Sequence, residues 1–124
     1  MKARRPMKIT QTIPVLPYSD FDRTRQFYAR LGFRQISVYP DYLLLERDGQ
    51  ELHFFLQVDD LAHGHGHSHF SAYLRAAGLD ELHASIQSAG LAVQPPAARP
   101  WGMLEMEIID PDGSLLRFGE ALEE

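Results

Sequence analysis

The run Asp48-Gly49-Gln50-Glu51-Leu52-His53-Phe54 returns 64 positions later as Asp112-Gly113-Ser114-Leu115-Leu116-Arg117-Phe118, both of the form Asp-Gly-x-x-Leu-x-Phe. A turn leading into a strand, met twice at a long fixed spacing, marks an internal repeat, and a repeat constrains architecture before any single element does. The later copy is preceded by an alternating run, Met103 to Ile109, and by Asp110-Pro111. Proline pre-sets φ, aspartate bonds its own backbone and glycine accepts positive φ, so a hairpin turn is expected there. The opening halves repeat as well. Ile13-Pro14-Val15-Leu16 leads to Asp20-Phe21 and Leu31-Gly32-Phe33, and Ser71-Ala72-Tyr73-Leu74 leads to Leu79-Asp80 and Ala89-Gly90-Leu91. Ile13 and Ser71 are 58 residues apart, as are Gly32 and Gly90.

Each unit therefore reads strand, helix, strand, hairpin. The first helix carries Phe21, Thr24, Tyr28 and Leu31 on one face, the second Leu79, Leu82, Ile86 and Ala89. Both sets follow the i, i+3, i+7 spacing of an amphipathic helix. Ser19 and Asp20 are N-cap candidates, and Gly32 and Gly90 suit the position just past a helix. The fold class is α+β, with two βαβββ repeats in a single domain spanning 1–124. The units cover 9–57 and 70–120, joined by a His/Gly-rich linker at 58–69. A chain of 124 residues that is 44% hydrophobic has enough apolar surface for one core.

Composition narrows the function classes. There is no cysteine, which excludes disulfides and thiolate chemistry. No apolar run approaches the ~20 residues of a membrane span, and no signal-peptide core follows the basic start, so a cytoplasmic protein without membrane partners is expected. Four of the twelve basic residues, Lys2, Arg4, Arg5 and Lys8, lie at the start. From residue 9 onward there are 8 basic against 17 acidic side chains, a net −9. That sign opposes nucleic-acid binding, which needs clustered Lys and Arg, and favours neutral or cationic partners.

Paired βαβββ units, the stretch Asp20-Phe21-Asp22-Arg23-Thr24-Arg25-Gln26-Phe27-Tyr28-Ala29-Arg30-Leu31-Gly32-Phe33 and the Asp110-Pro111-Asp112-Gly113 turn resemble the vicinal oxygen chelate superfamily. That group includes glyoxalase I, extradiol dioxygenases and bleomycin-resistance proteins. The narrower resemblance is to the bleomycin-resistance branch. It rests on Pro14-Val15-Leu16-Pro17, Glu51-Leu52-His53-Phe54-Phe55, Tyr73-Leu74-Arg75, Pro100-Trp101-Gly102-Met103 and Leu116-Arg117-Phe118-Gly119-Glu120. The resemblance implies curled mixed sheets of the glyoxalase/bleomycin-resistance fold, paired in a homodimer with clefts between subunits.

It also implies a chemical test. Catalytic members hold a divalent metal at places that here read Ile13, Ser71, His53 and Arg117. Ile lacks a donor, Arg is permanently cationic and Ser is a poor ligand, leaving one donor where about three are needed. No cofactor, no catalytic residue and no metal in the cleft are expected. By the same resemblance Arg117 faces the cleft. Alternation places Met103, Glu105, Glu107 and Ile109 on one strand face and Leu104, Met106 and Ile108 on the other, core face. Glu105 and Glu107 either line the cleft or point to solvent. Trp101 either covers a flat ligand or caps the core. His53, Tyr73 and Tyr42 complete the candidate ligand-binding set. His63, His65, His67 and His69 form an i, i+2 pattern that fits adventitious Cu, Ni or Zn chelation or a plain flexible linker, and His83 reads as a surface or packing residue. Two functions follow: a non-catalytic protein that sequesters a bleomycin-type glycopeptide antibiotic, cationic and aromatic, in a cleft at the dimer interface; or a metal-dependent lyase or dioxygenase acting on a small molecule.

Overall fold

A computed structural model of the chain describes residues 4–57 and 70–122. The expected order is present twice. The first unit is β1 (Val15–Tyr18), α1 (Phe21–Arg30), β2 (Arg34–Tyr39), β3 (Tyr42–Arg47) and β4 (Gln50–Leu56). The second is β5 (Ser71–Arg75), α2 (Leu79–Ser88), β6 (Ala97–Arg99), β7 (Met103–Ile109) and β8 (Leu115–Ala121). Each forms a four-stranded mixed sheet of the same order, β1-β4-β3-β2 and β5-β8-β7-β6, with the first strand parallel to the last. The stretch 58–69, with its four histidines, lies outside the described residues.

Period-two patterning decides which face is buried. Leu16, Tyr18, Leu43, Leu45, Leu52 and Phe54 point into the core from the first sheet, and Ala72, Met106, Ile108, Leu116 and Phe118 from the second. From α1 the core receives Thr24, Phe27, Tyr28 and the capping Leu31, so Phe27 joins the expected face while Phe21 is only partly buried. From α2 it receives Leu79 and Ile86, with Leu82 packed against them, whereas the exposed Ala89 serves as C-cap. Asp20, not Ser19, caps α1 by accepting a hydrogen bond from the Arg23 amide at 3.0 Å. Ser19 instead donates to Asp112 and accepts from Arg23, tying the two units together.

The two copies of the turn motif close differently. Asp48 and Gly49 both have positive φ, 54° and 78°, as a two-residue type I′ hairpin demands. In the second copy Pro111 takes the place of Arg47 and has no N–H to close a two-residue hairpin, so that turn is unavailable. Asp110 organises a longer loop there: its Oδ1 accepts the amides of Asp112 and Ser114, each at 2.9 Å. Its Oδ2 accepts the Tyr28 hydroxyl at 2.7 Å across 82 residues of sequence, which fastens the second hairpin to the first helix.

Candidate functional site

The face of the second sheet opposite the core carries most of the sequence-predicted residues. Register sets Tyr73, Arg117 and Glu107 in one cross-strand row of β5, β8 and β7, with Arg75, Gly119 and Glu105 in the next. Glu105 is 4% exposed and sits at the centre. Its Oε2 accepts the Tyr73 hydroxyl at 2.8 Å and the Trp101 indole N–H at 3.1 Å, while Arg99 Nε stands 3.8 Å from Oε1. The Trp101 bond, then that of Tyr73 and the charges of Arg117 and Arg99, hold the Glu105 carboxyl below its ordinary pKa against the opposing effect of burial. It is an anion at neutral pH. The same contact raises the Tyr73 pKa, with the bond to Glu105 the largest cause, so the phenol remains a donor.

Trp101 is 65% exposed although its N–H is engaged. Gly102, at φ 83°, turns the chain immediately after it. An indole held by one edge keeps its face available for stacking. Glu107 is exposed and pairs with Arg117 at 3.1 Å. Of the two glutamates, then, Glu105 is buried in the polar cluster and Glu107 meets solvent. Arg99 and Arg117 balance the two carboxylates, so attraction for a cation on this face has to come from the aromatic surface more than from net charge. Met103 is buried beside Glu105 on the same strand face.

Tyr42 and His53 lie on the other sheet. The Tyr42 hydroxyl is 3.1 Å from His53 Nδ1, and the rings meet edge to face at 5.4 Å. His53 Nε2 is 2.8 Å from Glu51 Oε1. With the proton on Nε2, that nitrogen donates to Glu51 and Nδ1 accepts from Tyr42, so both ring nitrogens are engaged. Among the described residues no hydrogen bond or ion pair links this cluster to the one around Glu105. The candidate residues thus fall into two groups, one per sheet. His83, on α2, donates a hydrogen bond from Nε2 to the Val93 carbonyl at 3.1 Å.

Three participants escaped the sequence reading. Glu51 shares a strand face with His53, and Arg99 precedes Trp101 by two positions; period two would have found both. Gly119 is the third, and only the packing reveals it.

The places that hold a metal in catalytic relatives do not suit one here. Arg117 is bound to Glu107, His53 has both nitrogens engaged, and Ile13 offers no donor. Among the described residues no three His, Cys, Asp or Glu side chains converge as a metal site.

The Glyoxalase/Bleomycin resistance protein/Dioxygenase superfamily model matches residues 9–118. The chain is 35% identical over 117 residues to a bleomycin resistance protein of Klebsiella pneumoniae, covering 86% of this chain and 89% of that one. It is 33% identical to the crystal structure of a bleomycin resistance determinant encoded on the transposon Tn5, with a TM-score of 0.80 over 91% of this chain and 98% of the other. A bleomycin-binding protein complexed with bleomycin matches with a TM-score of 0.79 and 33% identity, over 94% and 100%. Duplicated βαβββ units, sheet order and sequence all agree, and the chain belongs to the Glyoxalase/Bleomycin resistance protein/Dioxygenase superfamily.

Proposed function

We propose that this protein is a non-catalytic binding protein that sequesters a bleomycin-type glycopeptide antibiotic. The observation that carries the reading is the Trp101 indole, fastened by its N–H to an ionised, buried Glu105 while its face remains 65% exposed. A bithiazole tail is flat and ends in a cation. Stacking supplies ~0.5–1.5 kcal/mol beyond area burial, and a desolvated cation–π contact about 2 kcal/mol. Relatives at 33–35% identity that are named for bleomycin resistance or bleomycin binding support the same ligand class. The misfit of the metal-ligand positions argues for binding without chemistry.

The reading includes a homodimer in which units 9–57 and 70–120 of one domain, joined through 58–69, face those of a second copy. The cluster of Tyr42, His53 and Glu51 then lies across a cleft from that of Trp101 and Glu105. Support comes from the two sheets, whose first strands β1 and β5 each pair on one side only. An isologous pair satisfies both edges at once. Light scattering at micromolar concentration tests the assembly. Trp101 is the chain's one tryptophan, so its fluorescence reports directly on this face. Bleomycin should change that emission, and Trp101→Ala should weaken binding about tenfold or more. Absence of calorimetric binding at about 100 μM, weaker than any useful sequestration, would remove the proposal.

A further inference from the structure

We infer that Gly119 is a positioning residue of the ligand-binding face: it is the notch through which Tyr73 crosses β8 to hold Glu105, and with it Trp101, in place. This role rests on the binding reading above for its effect on affinity, but its geometry stands independently. Among the described glycines, Gly32, Gly49, Gly78, Gly90, Gly102 and Gly113 all have positive φ, and Gly119 does not. Backbone conformation therefore gives no reason for glycine at this position. Space does. A Cβ built on Gly119 would lie 1.9 Å from the Tyr73 hydroxyl oxygen, 2.6 Å from Cζ and 3.0 Å from Cε1. Glycine inside a strand commonly marks such a close approach.

Register explains why the approach is needed. Tyr73 stands opposite Arg117, whereas Glu105 stands opposite Gly119, one row further along. Tyr73 reaches its acceptor only on the diagonal, over the strand that separates them. The diagonal from Tyr73 to Gly119 on the adjacent strand is about 7–8 Å, so the ring lies over residue 119 and its hydroxyl reaches Glu105 beyond, provided nothing rises from β8 there. Any side chain at residue 119 would stand in that path. Tyr73 would turn outward into the ligand space, and Glu105 would keep the Trp101 N–H but lose its shorter bond. Gly119 touches no ligand; it acts through Tyr73.

The test uses the whole chain and two readouts. Ultraviolet difference titration of the wild type and of Gly119→Ala, each against its own Tyr73→Phe counterpart, isolates the Tyr73 hydroxyl without any ligand. In Gly119→Ala that hydroxyl should ionise at lower pH than in the wild type, because its carboxylate acceptor is gone. Calorimetry with bleomycin should show about a tenfold loss for Gly119→Ala, of the size an oriented aromatic contact provides. In a Tyr73→Ala background the same substitution should change affinity less than about twofold, since the crossing ring is absent. An unchanged Tyr73 titration in Gly119→Ala, or a loss of equal size in the Tyr73→Ala background, overturns the role. Should Gly119→Ala fail to fold, the double variant should recover folding; a double variant that also fails points to a strand requirement and overturns it too. If no protein binds bleomycin, the titration still decides the notch, and the ligand proposal alone falls.

Discussion

Replacing Tyr28 with phenylalanine removes one oxygen and nothing else. The Tyr28 ring is fully buried and meets Phe27, Phe33 and Phe54 edge to face, with centroids at 5.2, 6.0 and 4.9 Å. Phenylalanine keeps those contacts. Lost is the 2.7 Å bond to Asp110 Oδ2, in a carboxylate only 4% exposed. A hydrogen bond to a charged group contributes about 1.5–3 kcal/mol, and here the acceptor is left buried with one oxygen bare. The unfolded population should rise roughly tenfold to a hundredfold or more. The melting temperature should fall by about 4 °C per kcal/mol for a chain of this length. Urea denaturation at fixed protein concentration measures the loss, with an unchanged m-value.

The pH dependence sharpens this prediction. Burial, the largest cause, raises the Asp110 pKa above 3.8, while the Tyr28 bond opposes that rise. A carboxyl with a raised folded pKa favours the folded state most below its unfolded pKa, and that contribution is lost as pH climbs through the folded value. Tyr28→Phe raises the folded pKa further, so its cost should be full at pH 7. On acidification a protonated Asp110 needs no anion-stabilising donor, and the cost should shrink toward about 1 kcal/mol. Tyr28 itself stays neutral throughout, since burial and Asp110 raise its pKa well above 10.0. A cost below about 0.5 kcal/mol at neutral pH, or one that does not change with pH, would refute the reasoning.

Three further outcomes are expected. Glu105→Gln should weaken bleomycin binding and abolish the acid transition in Trp101 fluorescence; that transition should fall below the ordinary glutamate value of 4.5, because the folded pKa is lowered, and the stability it contributes is present above the unfolded pKa and lost on descending through the folded one. Gly32→Ala should destabilise by about 1–2 kcal/mol in thermal melts. At φ 84° a side chain is strained there, and its Cβ would lie 2.9 Å from Arg47 Nη1, which donates to the Leu31 carbonyl at the end of α1. Chelator should leave the melting temperature unchanged to within about 2 °C, a shift that corresponds to about 0.5 kcal/mol for a chain of this length. Metal that instead stays bound after alanine replaces His63, His65, His67 and His69, and is lost on His53→Ala, would favour an enzyme.

Much of the fold was legible because its signals are local. The repeated Asp-Gly-x-x-Leu-x-Phe run placed both hairpins, and helical spacing marked Thr24, Tyr28, Leu31, Leu79 and Ile86 for burial. Strand period put Glu105 and Glu107 on one face and Met106 and Ile108 on the other. These properties depend on residues within a turn or two of each other, so the chain alone determines them.

Other features were decided only by distant packing. Glu105 and Glu107 share a face, yet one is buried and the other exposed, because Tyr73 and Trp101 close over Glu105 alone. Tyr28 looked like a core aromatic from its spacing, and nothing in that spacing named an acceptor 82 residues away. Gly119 reads as an ordinary glycine until the Tyr73 ring is seen lying across it. Periodicity states which way a side chain points. How far it reaches, and what it meets, depends on strands brought together from separate parts of the chain.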